Sequence, residues 1–111
     1  MKDDIFFELF PFRNCEFENN ENLVTVLFKN KEPTIVEKIF FRRYLDKPYR
    51  IDLDEIGSYI WKLCDGNNNI NAIVDKSRKH FGEKIEPAEN RVKTFIKQLN
   101  RNKLIQLYEK R

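Results

Sequence analysis

The sequence predicts an α+β domain, a three-stranded antiparallel sheet at the N-terminal side packed on a three-helix bundle. Three observations carry this. Residues 12–29 and 48–53 hold short runs rich in β-branched or alternating apolar residues, the pattern of half-buried strands. From residue 54 onward the apolar positions change to helical spacing, in three separate stretches. Asn19 to Asn22, Asp65-Gly66, Gly82 and Pro87 fall between these stretches, as punctuation between elements does.

Taken in order, residues 5–12 (IFFELFPF) are strongly apolar but short. They fit a partial helix or strand ended by Pro11, and so much Ile and Phe needs burial against the body or against a second copy. Residues 1–11 are therefore read as an apolar N-terminal arm, with a homodimer contact as one outcome. Residues 12–18 and 23–29 read as a hairpin, with its turn at 19–22 (NNEN), because Asn tolerates left-handed backbone. Residues 30–47 read as an insertion. Lys31-Glu32-Pro33 breaks the strand, Ile35, Val36, Ile39 and Phe40 suit a short helix while the run IFF at 39–41 equally suits a strand, the helix being preferred, and Arg42-Arg43-Tyr44 form a basic, aromatic tip.

The third strand is 48–53 (PYRIDL), with Tyr49, Ile51 and Leu53 on one face and Pro48, Arg50 and Asp52 on the other. Proline at its start suits an edge strand, since it cannot donate to a ladder. Asp54 then caps the first helix. Ile56, Tyr59, Ile60, Leu63 and Cys64 form its stripe, Trp61 widens the buried face, and Asp65-Gly66 ends it. Asn69 caps a second helix with Ile70, Ile73, Val74 and Phe81 on its apolar side, ended by Gly82. Pro87 opens a third, whose Val92, Phe95, Ile96 and Leu99 make a clean core face. Leu104, Ile105 and Leu107 return as a short extended tail. Strands followed by three short helices with tight connections resemble a winged-helix arrangement.

At 111 residues, with no internal repeat, the chain is one domain spanning 1–111. The N-terminus, MKDDIFFELF, is too short in apolar run for a signal peptide or a membrane span. Cys15 and Cys64 have no CxxC spacing, and the single His80 does not complete a zinc set. One disulfide between the two cysteines is possible, but Cys64 on the apolar face of a helix reads better as a buried structural thiol; thiols suit a reducing compartment, so a soluble, cytoplasmic protein is expected.

The net charge of +3 conceals blocks: −4 over residues 1–22, +4 over 23–50, −3 over 51–90 and +6 over 91–111. Two basic blocks can attract an acidic partner.

No catalytic constellation stands out, and no enzyme is expected. There is no Gly-rich phosphate loop and no nucleophile in a recognisable setting. Asp52, Asp54 and Glu55 read as a helix cap and first-turn acids rather than a cation site, and no metal or cofactor is expected. His80 reads as a surface residue near the end of the second helix. What remains is binding, through the strand at 48–53 or through the third helix, where Arg91, Lys93, Lys97 and Arg101 flank the apolar stripe.

The order Leu53-Asp54, Ile60-Trp61, Asp65-Gly66, supported by Asn69, Phe95, Leu99 and Leu104-Ile105, resembles the PqqD family, the pyrroloquinoline quinone biosynthesis protein D type of small peptide-binding domain. The resemblance runs over residues 12–105 and is most specific over 49–66. It implies a winged-helix-like peptide chaperone without catalysis, a recognition element for the leader segment of a ribosomally made precursor peptide in natural-product biosynthesis. The leader would be delivered to a maturase, often a radical S-adenosylmethionine enzyme.

In such domains the leader adds as a strand beside the third strand, bordered by the third helix. Carried onto this chain, the edge is Tyr49, Arg50, Ile51, Asp52 and Leu53, and the helix wall is Arg91, Thr94, Phe95 and Gln98. Arg50 and Arg91 would pair with acidic leader side chains. The chain departs from the family pattern in having Asn102-Lys103 where a glycine often follows the third helix, with Asn102 expected to take the left-handed cap, and in its arm and its 30–47 insertion. The arm, the insertion, or strand exchange between two copies would each cover that edge. Two other readings stand beside this one, a winged-helix nucleic-acid binder and a protein-interaction scaffold docking through the arm. The third helix spends its best face on the core rather than on base edges, which weighs against nucleic acid.

Overall fold

The computed structural model of the chain describes residues 2–28 and 49–109. The expected insertion at 30–47, with its short helix and basic tip, lies outside the described residues. The class is α+β, in the order α1 (Lys2–Glu8), β1 (Phe10–Arg13), β2 (Glu16–Asn20), β3 (Leu23–Phe28), β4 (Tyr49–Asp52), α2 (Glu55–Leu63), α3 (Ile70–Phe81), a 3-10 turn (Gly82–Ile85), α4 (Ala88–Arg101) and β5 (Ile105–Tyr108).

The expected three-stranded antiparallel sheet is present, in the order β2-β3-β4. Its hairpin is tighter than the sequence suggests. Asn19 and Asn20 belong to β2, paired with Val24 and Leu23, and the turn narrows to Glu21 and Asn22, both at positive φ (51° and 73°). Two left-handed residues match the right-handed twist of the flanking strands, which is why the turn closes on two residues rather than four. Val24 and Val26 of β3 are buried while Leu23 is exposed, the alternation of a strand with one face on a core.

Serine replaces a ladder bond where the sheet meets α2. The Leu53 N–H donates to the Val24 carbonyl at 2.9 Å. The Val24 N–H donates instead to Ser58 Oγ at 2.8 Å, and that hydroxyl donates to the Leu53 carbonyl at 3.3 Å. Ser58 is fully buried, so the hydroxyl satisfies two main-chain groups that water cannot reach.

The arm corrects the sequence reading. Residues 5–12 are neither one helix nor one strand, and Pro11 does not end them. The helix stops at Glu8, and the chain continues through Pro11 as β1, antiparallel to β5 with Phe10 opposite Tyr108 and Phe12 opposite Gln106. The predicted strand at 12–18 is accordingly split at Asn14-Cys15 between two sheets.

Proline is tolerated here because of register. Asn14 N–H bonds to the Leu104 carbonyl, so Phe12 and Phe10 supply the other bonds to β5, and Pro11 and Arg13 face away from it. On that other side, the Arg13 N–H donates to the Cys64 carbonyl and Gly66 N–H to the Pro11 carbonyl, both at 3.0 Å. The Arg13 guanidinium also donates to the Trp61 and Lys62 carbonyls at 3.1 and 2.8 Å, a favourable place for a cation at a helix C-terminus. Gly66 (φ +82°) is required in this junction, since a Cβ there would stand 2.7 Å from the Phe12 ring.

The helices follow their predicted caps. Asp54 accepts from Gly57 N–H at 2.7 Å, and Asn69 accepts from Ala72 N–H at 2.8 Å. Gly82 at φ +63° closes α3. Pro87 sits at the N-cap of α4, one position outside the expected first turn. The left-handed residue after α4 is Lys103 (φ 63°), not Asn102 (φ −87°). The Lys103 N–H bonds to the Asn100 carbonyl and Leu104 N–H to the Leu99 carbonyl, which is a Schellman closure.

One core joins these parts. Val24 and Val26 of β3, Ile60, Trp61 and Cys64 at α2, Ile73 and Val74 of α3, and Val92, Ile96 and Leu99 of α4 are buried in a single cluster. Phe6, Phe7 and Leu9 of the arm pack on its margin. The two cysteines are not joined in a disulfide; Cys64 is buried, and burial pushes its thiol up from an ordinary 9.0 to about 12.

Candidate peptide-binding groove

A groove of about 370 Å³ runs between the start of α2 and one side of α4. Asp54, Ile56, Gly57 and Ile60 form one wall, and Asn90, Arg91, Thr94, Phe95 and Gln98 form the other. The helical spacing of Arg91, Thr94, Phe95 and Gln98 puts them in one row. All four helix-wall residues named from the sequence line this groove.

Its floor is apolar and its rim polar. Ile60 is fully buried, Ile56 and Phe95 are half-buried, and Arg91, Thr94 and Gln98 are exposed. The narrow point is Gly57, where an added Cβ would lie 3.2 Å from Phe95 Cζ and 3.1 Å from Asp54 Oδ1. A side chain at residue 57 would push the Phe95 ring toward the groove.

β4 precedes the groove in the chain and leads into its wall through Leu53-Asp54. Its register with β3 pairs Asp52 with Thr25, Ile51 with Val26 and Arg50 with Leu27. Because Leu53 bonds to Val24, alternation gives Ile51 the next pair of ladder bonds to β3. The N–H and C=O groups of Arg50 and Asp52 therefore point the other way, to the outer edge. Among the described residues no strand pairs with that edge.

The groove lining thus holds the four predicted wall residues and none of the predicted edge residues 49–53, which lead to it through Leu53-Asp54, and the structure adds detail the sequence did not show. Tyr49 begins β4, opposite Phe28. Ile51 and Leu53 are half-buried and pack on the core cluster. Arg50 and Asp52 are exposed, and both have partners across the sheet. Arg50 donates to Glu18 of β2 at 3.0 Å, and Asp52 accepts from Thr25 Oγ1 at 2.8 Å.

The arm contacts α3 and α4: Leu9 accepts from Ile70 N–H at 3.0 Å, and Phe6 lies 5.3 Å under the ammonium of Lys97, one helical turn from Thr94. His80 is exposed in the last turn of α3, with its ring stacked on Tyr59 at 4.3 Å.

Sequence reasoning missed Gly57, Ser58, Glu18 and Thr25. A lone glycine inside a helical stripe was the available signal for Gly57. The other three depend on strand register, which one sequence does not give.

Among the described residues no helix is long and apolar enough to cross a membrane. No curated protein and no solved structure matches the chain. A family model described as coenzyme PQQ synthesis protein D (PqqD) matches residues 44–105, which include β4, α2, α3 and α4 and all nine residues of the predicted edge and wall. With more than half of its length matched, the chain belongs to the PqqD family.

Proposed function

We propose that the chain is a non-catalytic peptide chaperone that binds the leader segment of a ribosomally synthesised precursor peptide by strand addition to β4. It then presents that peptide to a modifying enzyme, with a radical S-adenosylmethionine maturase as the expected class. The carrying observation is an outward-facing strand edge at Arg50 and Asp52 whose strand runs through Leu53 into Asp54, a wall residue of the apolar-floored groove. Backbone bonds at such an edge give affinity, and alternate side chains entering the groove give specificity. A ligand residue opposite Ile51 would share the face of Ile51 and so approach Ile56 and Phe95, while residues opposite Arg50 and Asp52 would face solvent. We read the arrangement as winged-helix-like, with the β2-β3-β4 sheet on the bundle of α2, α3 and α4. Two cysteines without a disulfide between them fit a cytoplasmic setting.

The test is an amide NMR titration of the labelled chain with a candidate leader peptide, run beside a short DNA duplex. Shifts concentrated at 49–53 and 91–98 with peptide alone are expected. Salt-sensitive shifts with DNA, centred on the basic residues of 91–103, would replace this reading by nucleic-acid binding.

A further inference from the structure

The solvent face of the sheet carries an ion pair that spans three strands. Arg50 on β4 reaches over β3 to Glu18 on β2, N to O at 3.0 Å. Both side chains are about half exposed, at 56% and 45%, so the pair is free to exchange partners. On the strand-addition reading, a docked peptide lies on the opposite side of β4. Strands in a sheet stand about 4.8 Å apart, so Glu18 and a docked residue are about 14 Å apart across the sheet. A guanidinium bound to Glu18 sits above β3, beyond reach of a carboxylate on the docked strand. The two acids therefore compete for one cation. The neighbouring Asp52 carboxylate, held by Thr25 Oγ1 at 2.8 Å, is then the charge closest to the edge on this face.

We propose that Glu18 is a specificity-determining residue of the β4 edge: by holding Arg50 over β3 it withdraws that cation from a docked strand and suppresses selection for acidic side chains on the ligand's solvent face. This rests on the strand-addition reading of β4. Glu18 lies outside residues 44–105, so the control comes from the part of the chain the family model does not match. Selection by the wild-type chain then falls to the groove, where Arg91 is the cation on the rim.

The test uses the full chain and two synthetic N-acetylated nonapeptides of alternating Leu and Gln, one with Glu at each Gln position. Each is titrated by NMR into the wild type, Glu18→Gln, and the double variant Glu18→Gln/Arg50→Gln. Exposed ion pairs of this kind shift equilibria by at most about fivefold. Glu18→Gln is expected to raise the preference for the Glu peptide over the Gln peptide by about two- to fivefold, and the double variant to return it to the wild-type ratio. An unchanged ratio in Glu18→Gln, or a gain that persists without Arg50, overturns the inference while leaving strand addition standing. No shift at β4 or α4 with either peptide in any chain sinks both.

Discussion

Replacing Ser58 by alanine separates the sheet from α2 without touching the surface. The hydroxyl is fully buried, accepts from Val24 N–H at 2.8 Å and donates to the Leu53 carbonyl at 3.3 Å. An orphaned buried N–H costs about 1–3 kcal/mol, and losing the longer bond adds about 0.5 kcal/mol. Alanine's better helix propensity returns about 0.5 kcal/mol, leaving a net loss of about 2 kcal/mol. That is a large share of the 5–15 kcal/mol typical of a domain and corresponds to a drop of about 10 °C in Tm. The assay is urea unfolding followed by fluorescence of Trp61, the single tryptophan, which is fully buried with Phe17 edge-on at 5.8 Å. The midpoint should fall with the m-value unchanged, and Val24 amide exchange should accelerate. A loss below about 0.5 kcal/mol would show that the serine bridge does not hold Leu53 and Val24 together.

Gly57→Ala places a methyl 3.2 Å from Phe95 Cζ; the helix gains about 1 kcal/mol in propensity, so unfolding stability should change little while leader-peptide affinity drops about tenfold, or 1.4 kcal/mol, in a titration. Lys103→Gly relieves a left-handed φ of 63° and should raise unfolding stability by about 1 kcal/mol with no effect on binding. The Cys64 thiol, raised to about 12 by burial, should resist a thiolate-selective reagent at pH 8 until the chain unfolds. The same shift lowers stability as pH rises from about 9 toward 12, because the unfolded thiol ionises first, and Cys64→Ala should flatten that limb of the pH profile.

Local chemistry made much of this fold legible. Asp54 and Asn69 announce helix starts because a short polar side chain can do little else so well there, and Val92, Ile96 and Leu99 mark a core face by spacing alone. The helix wall of the groove was readable for the same reason, since α4 is a regular object whose two sides follow from one. What failed was non-local. Nothing in PFR says strand rather than stop until β5 is known to lie beside it, and nothing in EFENN says that Glu18 meets Arg50 until β3 sets the register. The left-handed position after α4 fell on Lys103 rather than Asn102, because the length of the last helical turn outweighed residue preference.

The strand β1 also fixes an order of events. It lies between β5 on one side and the 64–66 turn on the other. A growing chain can form its β2-β3 hairpin early, yet β1 has no complete seat until residues 105–108 have been made. Pairing across nearly the whole sequence is the slow kind of contact, so the aromatic residues of α1 and β1 stay unsheltered through most of synthesis. The arm is thus a segment that chaperones and proteases could reach before β5 closes over it.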